Sequence, residues 1–144
     1  MQIEKVEREI LPGGKVKLCA SDLVFIFERP GVGKLLVTVL GHDRGQFGTS
    51  TLDEIVYAIQ REGTVELFID AREAKGIAVA VSDAWTRFFT ANQDKLKRVH
   101  VLVTSEYVHL TIAIARHLSG TGGLIRIHSK EDHFLTALKN DTLV

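Results

Sequence analysis

Val65-Glu66-Leu67-Phe68-Ile69-Asp70 is the stretch on which the fold turns. Only Glu66 interrupts its apolar run before Asp70. That pattern suits a strand covered on both faces, as in a parallel sheet flanked by helices. The residues before it read differently. Leu52, Ile55, Val56 and Ile59 recur at the helical spacing i, i+3, i+4, i+7. Ser50 or Thr51 is placed to cap this helix, Asp53 and Glu54 suit the positive end of its dipole, and Gly63 supplies the stop.

The same alternation continues toward the C-terminus. A second helix is expected from about Ser82 to Leu96, then a strand at Val99–Val103. A third helix follows from Glu106 to Leu118, closed by Ser119-Gly120, then a strand at Leu124–His128 and a final helix from Lys130 to Leu138. Strands separated by helices in this way are parallel, with right-handed crossovers.

The opening of the chain has another character. Lys15–Cys19 and Leu23–Glu28 are short β-type runs separated by the turn Ala20-Ser21-Asp22. Arg29-Pro30-Gly31-Val32-Gly33 reads as an antiparallel hairpin connection into Lys34–Leu40. The expected fold class is therefore α/β: a mixed, mainly parallel sheet opened by an antiparallel strand pair, with about four helices packed on it. One domain covers 1–144, with N-terminal strands and hairpin over 1–33 and an alternating β/α core over 34–138.

Composition removes several function classes. The chain has 144 residues, enough for one domain with a substantial core. Lys plus Arg (18) balances Asp plus Glu (18), so no global field favours nucleic acid or an anionic membrane. Lys95, Lys97 and Arg98, the nearest basic cluster, read as a solvated helix end. A lone Cys19 excludes an internal disulfide framework and a cysteine-based zinc cage, and reads as a buried inert thiol. Met1–Ile10 mixes charges without an apolar core and is not a secretory signal. No run approaches the roughly 18 apolar residues of a transmembrane span, so the expected compartment is the cytoplasm.

No catalytic motif emerges. Gly31-Val32-Gly33-Lys34 lacks the spacing of a phosphate loop, and a strand rather than a helix follows it. His109 and His117 share a helix eight residues apart, too far for an i, i+4 metal clamp. His100, His128 and His133 fall on separate elements, and His42-Asp43 lies in a loop, so ordinary surface or strand-end roles are expected. Gly120-Thr121-Gly122-Gly123 suits a helix stop and tight return. Cys19 has no recognisable catalytic partner, and no nucleophile elbow is present. The expectation is a non-enzyme without metal or cofactor.

Ligands of open α/β sheets gather beyond the carboxyl ends of the parallel strands. Three segments are expected there: Gly41–Thr49, Asp70–Gly76 running on to Ser82, and Thr104–Glu106. They nominate Asp43, Arg44, Asp70, Arg72, Glu73, Ser82, Asp83 and Ser105 as partner-binding residues. Arg72, between Asp70 and Glu73, is expected to form a salt bridge, and Ser82 to cap the second helix. Trp85, Phe88 and Phe89 fall at i, i+3, i+4 and read either as core or as an apolar pocket for a small molecule or lipid. In the third helix, Tyr107, Leu110, Ile114, Ala115 and Leu118 form a core stripe. Val108 and Ile112 lie on another side, as a broader buried face or a homodimer contact.

The order of these elements resembles the STAS domain, the sulfate-transporter and anti-sigma-factor antagonist family, and within it the SpoIIAA-like branch. The resemblance spans Lys34 to Leu138. It is carried by Val65–Asp70 leading into Ser82-Asp83-Ala84-Trp85, by Arg98–Val103, and by Gly123–His128 before a closing helix. It implies a small regulatory module that binds a protein partner. In the antagonist branch, a serine in an Asp-Ser-Ser-Gly segment at the start of the second helix is phosphorylated. The corresponding segment here is Ala78-Val79-Ala80-Val81-Ser82-Asp83, which lacks that motif and leaves Ser82 as the candidate phosphosite.

Overall fold

The computed structural model describes residues 5–119 and 123–139, which form a seven-stranded sheet and four α-helices. The strands lie side by side in chain order: β1 (Glu7–Ile10), β2 (Val16–Ala20), β3 (Leu23–Glu28), β4 (Lys34–Asp43), β5 (Val65–Ile77), β6 (Leu96–Leu102) and β7 (Ile125–His128). Pairing is antiparallel from β1 to β4 and parallel from β4 to β7. The mixed sheet is as expected, but three antiparallel pairings stand beside three parallel ones, not a single opening pair. β1 is the unexpected strand. All four of its residues are exposed, so no apolar alternation marks it, and its charges suit an edge.

Helices α1 (Ser50–Glu62), α2 (Val79–Ala91) and α3 (Glu106–Ser119) each connect neighbouring parallel strands, and α4 (Glu131–Lys139) follows β7. Strands that advance in one direction through crossovers of one hand place those helices on one face. The packing agrees. Ile55 and Ile59 of α1, Phe89 of α2 and Val108 of α3 share one core with Val37, Leu67, Ile69, Val99 and Val101. On the opposite face α4 brings Phe134 against Phe68 and Leu102. Alternation along β5 sends Leu67 and Ile69 to the first core and Phe68 to the second, which explains the near-continuous apolar run.

Several boundaries differ from expectation. The segment 70–77 is strand, because β4 runs on to Asp43 and offers parallel partners as far as Ile77. Thr38 faces Asp70 but Leu40 faces Glu73, and Gly41 faces Ala74 but His42 faces Gly76. These two one-residue slips on β5 break its alternation and disguise it as a loop. α1 is entered from Thr49, ahead of the expected cap at Ser50 or Thr51 and without a side-chain cap, and Gly63 closes it as expected, donating to the Ile59 carbonyl at 2.7 Å. α2 starts at Val79 from an Ala78 cap position and stops at Ala91. Asn92 ends it, its Nδ2 donating to the Phe88 carbonyl at 2.8 Å, which releases Leu96 to open β6.

α3 also presents another side to the core. Val108 is 1% exposed and Ile112 packs on the core, whereas Leu110 is 61% exposed. Two residues along a helix turn about 200°, so Val108 and Leu110 cannot share a face. The broad buried face is thus the role of Val108 and Ile112. The side chains of Tyr107, Ile114, Ala115, His117 and Leu118, and the return at 120–122, lie outside the described residues.

Candidate functional site

The segments after β4, β5 and β6 emerge at one end of the sheet, together with the β2–β3 turn. There Asp22 pairs with Arg44 at 3.1 Å, and the guanidinium holds the Asp22 carboxyl below its usual range. Buried Gln46 organises the β4–α1 loop: its Oε1 accepts the Arg44 amide at 2.7 Å and its Nε2 donates to the His42 carbonyl at 2.9 Å. Glu73 and Asp83 are exposed, and Asp83 also pairs with Arg87 one turn along α2. Ser105 stands before α3, where its carbonyl accepts the His109 amide.

Asp70 and Arg72 have a structural task. Arg72 donates from Nε and Nη2 to the two Asp70 oxygens at 3.0 and 2.7 Å, and pairs from Nη1 with Glu131 of α4 at 3.0 Å. The expected salt bridge forms, in a strand rather than a loop, and it ties α4 to β5.

Two exposed apolar side chains escaped the sequence reading. Val79 is 72% exposed and Leu110 61%, near the starts of α2 and α3, which pack against each other. Val79 lies in the first turn of α2 rather than in the connecting loop, and Leu110 lies outside the buried face of α3 rather than in its core stripe.

Asp43 is buried, not presented to solvent. In β4, Leu35, Val37 and Val39 point into the main core, and Asp43 continues that odd-numbered row at 5% exposure. Its Oδ1 accepts the Gly45 amide at 3.0 Å, and burial pushes its carboxyl above the usual range against smaller opposing effects of Gly45, His42 and Arg44. The side chain lines a cavity of about 70 Å³ walled by Phe25, Ile69, Trp85, Phe89 and Ile112. It also lines a second cavity of about 190 Å³, between the β4–α1 loop, α1 and α2. Trp85 lines both, whereas Phe88 lines neither; the apolar hollow lies at Trp85 and Phe89.

Ser82 borders the smaller cavity at 4% exposure, in the fourth position of α2. It is therefore not the cap, and its hydroxyl is closed to a kinase in this conformation. Thr86 donates to the Ser82 carbonyl at 2.8 Å.

On the α4 face lies a polar chain that linear reading could not assemble. His100 Nε2 is 2.9 Å from Glu66 Oε2, and His100 Nδ1 is 3.0 Å from His128 Nε2. Phe68 stacks on His100 with ring centroids 4.5 Å apart. The parallel register Phe68↔His100 and Leu102↔His128 creates this neighbourhood.

The architecture defines the class first: a mixed α/β domain with the SpoIIAA-like fold. No protein-family model and no curated protein sequence matches the chain. Solved structures do. An uncharacterised DUF3478-family protein with a SpoIIAA-like fold from Shewanella loihica PV-4 aligns with TM-score 0.57 and 15% identity, over 81% of this chain and 93% of its own. An anti-sigma factor antagonist from Mycobacterium paratuberculosis aligns with TM-score 0.55 and 17% identity, over 82% and 95%. The anti-sigma factor antagonist SpoIIAA, in its unphosphorylated form, gives TM-score 0.55 and 12% identity, over 82% and 99%. At these identities the likeness is one of fold. No helix among the described residues is long and apolar enough to cross a membrane.

Proposed function

We propose that this chain is a non-enzymatic regulatory module that binds a protein partner at the carboxyl end of its parallel strands. The observation that carries the reading is the exposure of Val79 and Leu110 on neighbouring helices, at the end that also carries Arg44, Glu73, Asp83 and Ser105. Apolar anchors rimmed by charge are the anatomy of a transient protein interface. The fold shared with two anti-sigma factor antagonists supports a regulatory role.

The test is affinity capture with three forms of the protein. Val79→Asp combined with Leu110→Asp is expected to lose a partner that wild type retains. Val32→Asp, at a valine still more exposed but in the β3–β4 hairpin on the opposite end, is expected to keep it. A partner retained by the double variant would refute this surface. Charge reversal at Asp83 should weaken capture by a smaller factor, as rim charges do. A second reading, a small-molecule or lipid-binding domain, is favoured by one observation: the paired cavities at Asp43 and Trp85.

A further inference from the structure

Asp43 presents an unsolved charge. A carboxylate removed from water is strongly disfavoured unless a cation or a full set of donors replaces the solvent. Here Oδ1 receives the Gly45 amide, and no described residue donates to Oδ2. The adjacent cationic side chain, Arg44, directs its guanidinium to Asp22 at 3.1 and 3.3 Å. The His42 ring packs on Gly76, where a Cβ would lie 3.1 Å from it. A turn-forming role accounts for Oδ1 alone, and an asparagine would serve it equally. It leaves unexplained why an acid stands between two apolar hollows with its second oxygen open to them rather than paired within the protein.

We propose that the two cavities form one binding site for a small apolar amine, with its ammonium on the Asp43 carboxylate and its hydrocarbon body against Trp85. This deepens the small-ligand reading and is independent of the partner surface. An ammonium adds to the weak influence of His42 and Arg44 a cation in direct contact, and supplies the donor that Oδ2 lacks. Ser82, buried in the wall of the smaller cavity, offers a hydroxyl oxygen to the same head group. Phe25, Ile69 and Phe89 receive the rest of the apolar portion. An acid of the same skeleton would set two carboxyl groups against each other. An alcohol would satisfy hydrogen bonding but not charge.

Trp85 is the only tryptophan in the chain and lines both cavities, so its fluorescence reports occupancy directly. The experiment titrates purified protein with n-hexylamine, n-hexanol and hexanoate at neutral pH. Saturable change with hexylamine at the lowest concentration is expected. Asp43→Asn, which keeps an oxygen for the Gly45 amide, should weaken hexylamine by at least about tenfold, the scale of one charge-assisted hydrogen bond, and leave hexanol unchanged. Ala74→Leu, which adds bulk to the wall of the smaller cavity and leaves Asp43 in place, should weaken every probe. Equal binding of the three probes, or an Asp43→Asn protein that binds hexylamine as wild type does, would overturn the amine assignment and keep a small-ligand site. No saturable change with any probe would overturn the small-ligand reading itself. If Asp43→Asn fails to fold, the probe ranking in wild type and the Ala74→Leu result still decide.

Discussion

His100 Nδ1 and His128 Nε2 stand 3.0 Å apart, and the carboxylate of Glu66 at the other side of His100 settles which atom carries each proton. Glu66 accepts, so His100 presents Nε2–H to it and keeps a lone pair on Nδ1. His128 must then donate from Nε2. Both rings are thus neutral in the resting chain, bridging β5, β6 and β7 beneath α4.

This arrangement predicts acid sensitivity. Burial is the largest influence lowering both imidazoles; for His100, Glu66 opposes it, and for His128 the guanidinium of Arg126 and repulsion from the neighbouring His100 and His133 rings add to it. The unfolded rings protonate near 6.5 and the folded rings at lower pH. Stability present above 6.5 is therefore lost as pH falls through the folded values. The melting temperature should drop between about pH 7.5 and about pH 5. His128→Gln, whose amide can still donate to His100, should show a shallower drop. Asp43, raised by burial, works in the opposite direction as it protonates, so the difference between wild type and variant is the quantity that isolates the histidines. Identical slopes would exclude them as the cause.

Gly41 predicts a backbone effect of unusual size. Its φ is +111°, and a Cβ there would lie 2.1 Å from the Asp22 carbonyl oxygen, which is backbone and cannot swing away. Gly41→Ala should cost roughly 3 kcal/mol or more, combining backbone strain with displacement of the β2–β3 turn. Gly63→Ala, at φ +85° with nothing near the added carbon, should cost only about 1 kcal/mol. Urea denaturation of both variants checks the contrast, and equal costs would show that the close approach relaxes.

Where the sequence was legible, one periodicity decided the matter. The helical spacing of Leu52, Ile55 and Ile59, the stop at Gly63 and the apolar run Val65–Ile69 led directly to α1, β5 and the parallel half of the sheet. β1 stayed hidden because an exposed edge strand needs no apolar residue, and the end of β5 because two register slips break its alternation. Ser82 was misplaced because α2 is entered through the Ala78 backbone and no capping side chain marks the start. The Glu66–His100–His128 chain depends on cross-strand register, which no linear spacing encodes. Asp43 was different: the alternation Leu35, Val37, Val39 carried two residues further already turns it inward.

Arg72 predicts a local effect on α4. Its fork grips both oxygens of Asp70, and its remaining nitrogen reaches Glu131 in the first turn of α4. With Arg72 at 35% and Glu131 at 55% side-chain exposure, solvent discounts the outer pair heavily, whereas the bidentate geometry preserves the inner one. Arg72→Met should cost about 1 kcal/mol in urea. Hydrogen exchange should quicken in α4 more than in α1. Unchanged exchange across Glu131–Lys139 would mean that the packing of Phe134 alone seats the helix.

Val108 and Leu110 separate stability from recognition on a single helix. Val108 is sealed in the main core at 1% exposure, so Val108→Ala should cost roughly 2 kcal/mol through lost burial and the hollow left behind. Leu110, at 61% exposure, has little burial to lose, and Leu110→Ala should stay within about 0.5 kcal/mol of wild type. Binding should reverse that order: Leu110→Ala weakens partner capture, whereas Val108→Ala preserves it once the protein is folded. Denaturation and capture measured on the same two variants make the comparison internal. Sedimentation of the wild type then identifies the partner's kind, because a mass shift lost on Leu110→Asp would make that partner a second copy of this chain. A Leu110→Ala protein that captures its partner as wild type does would show that the exposed leucine is one of the scattered apolar surface residues any globular protein carries.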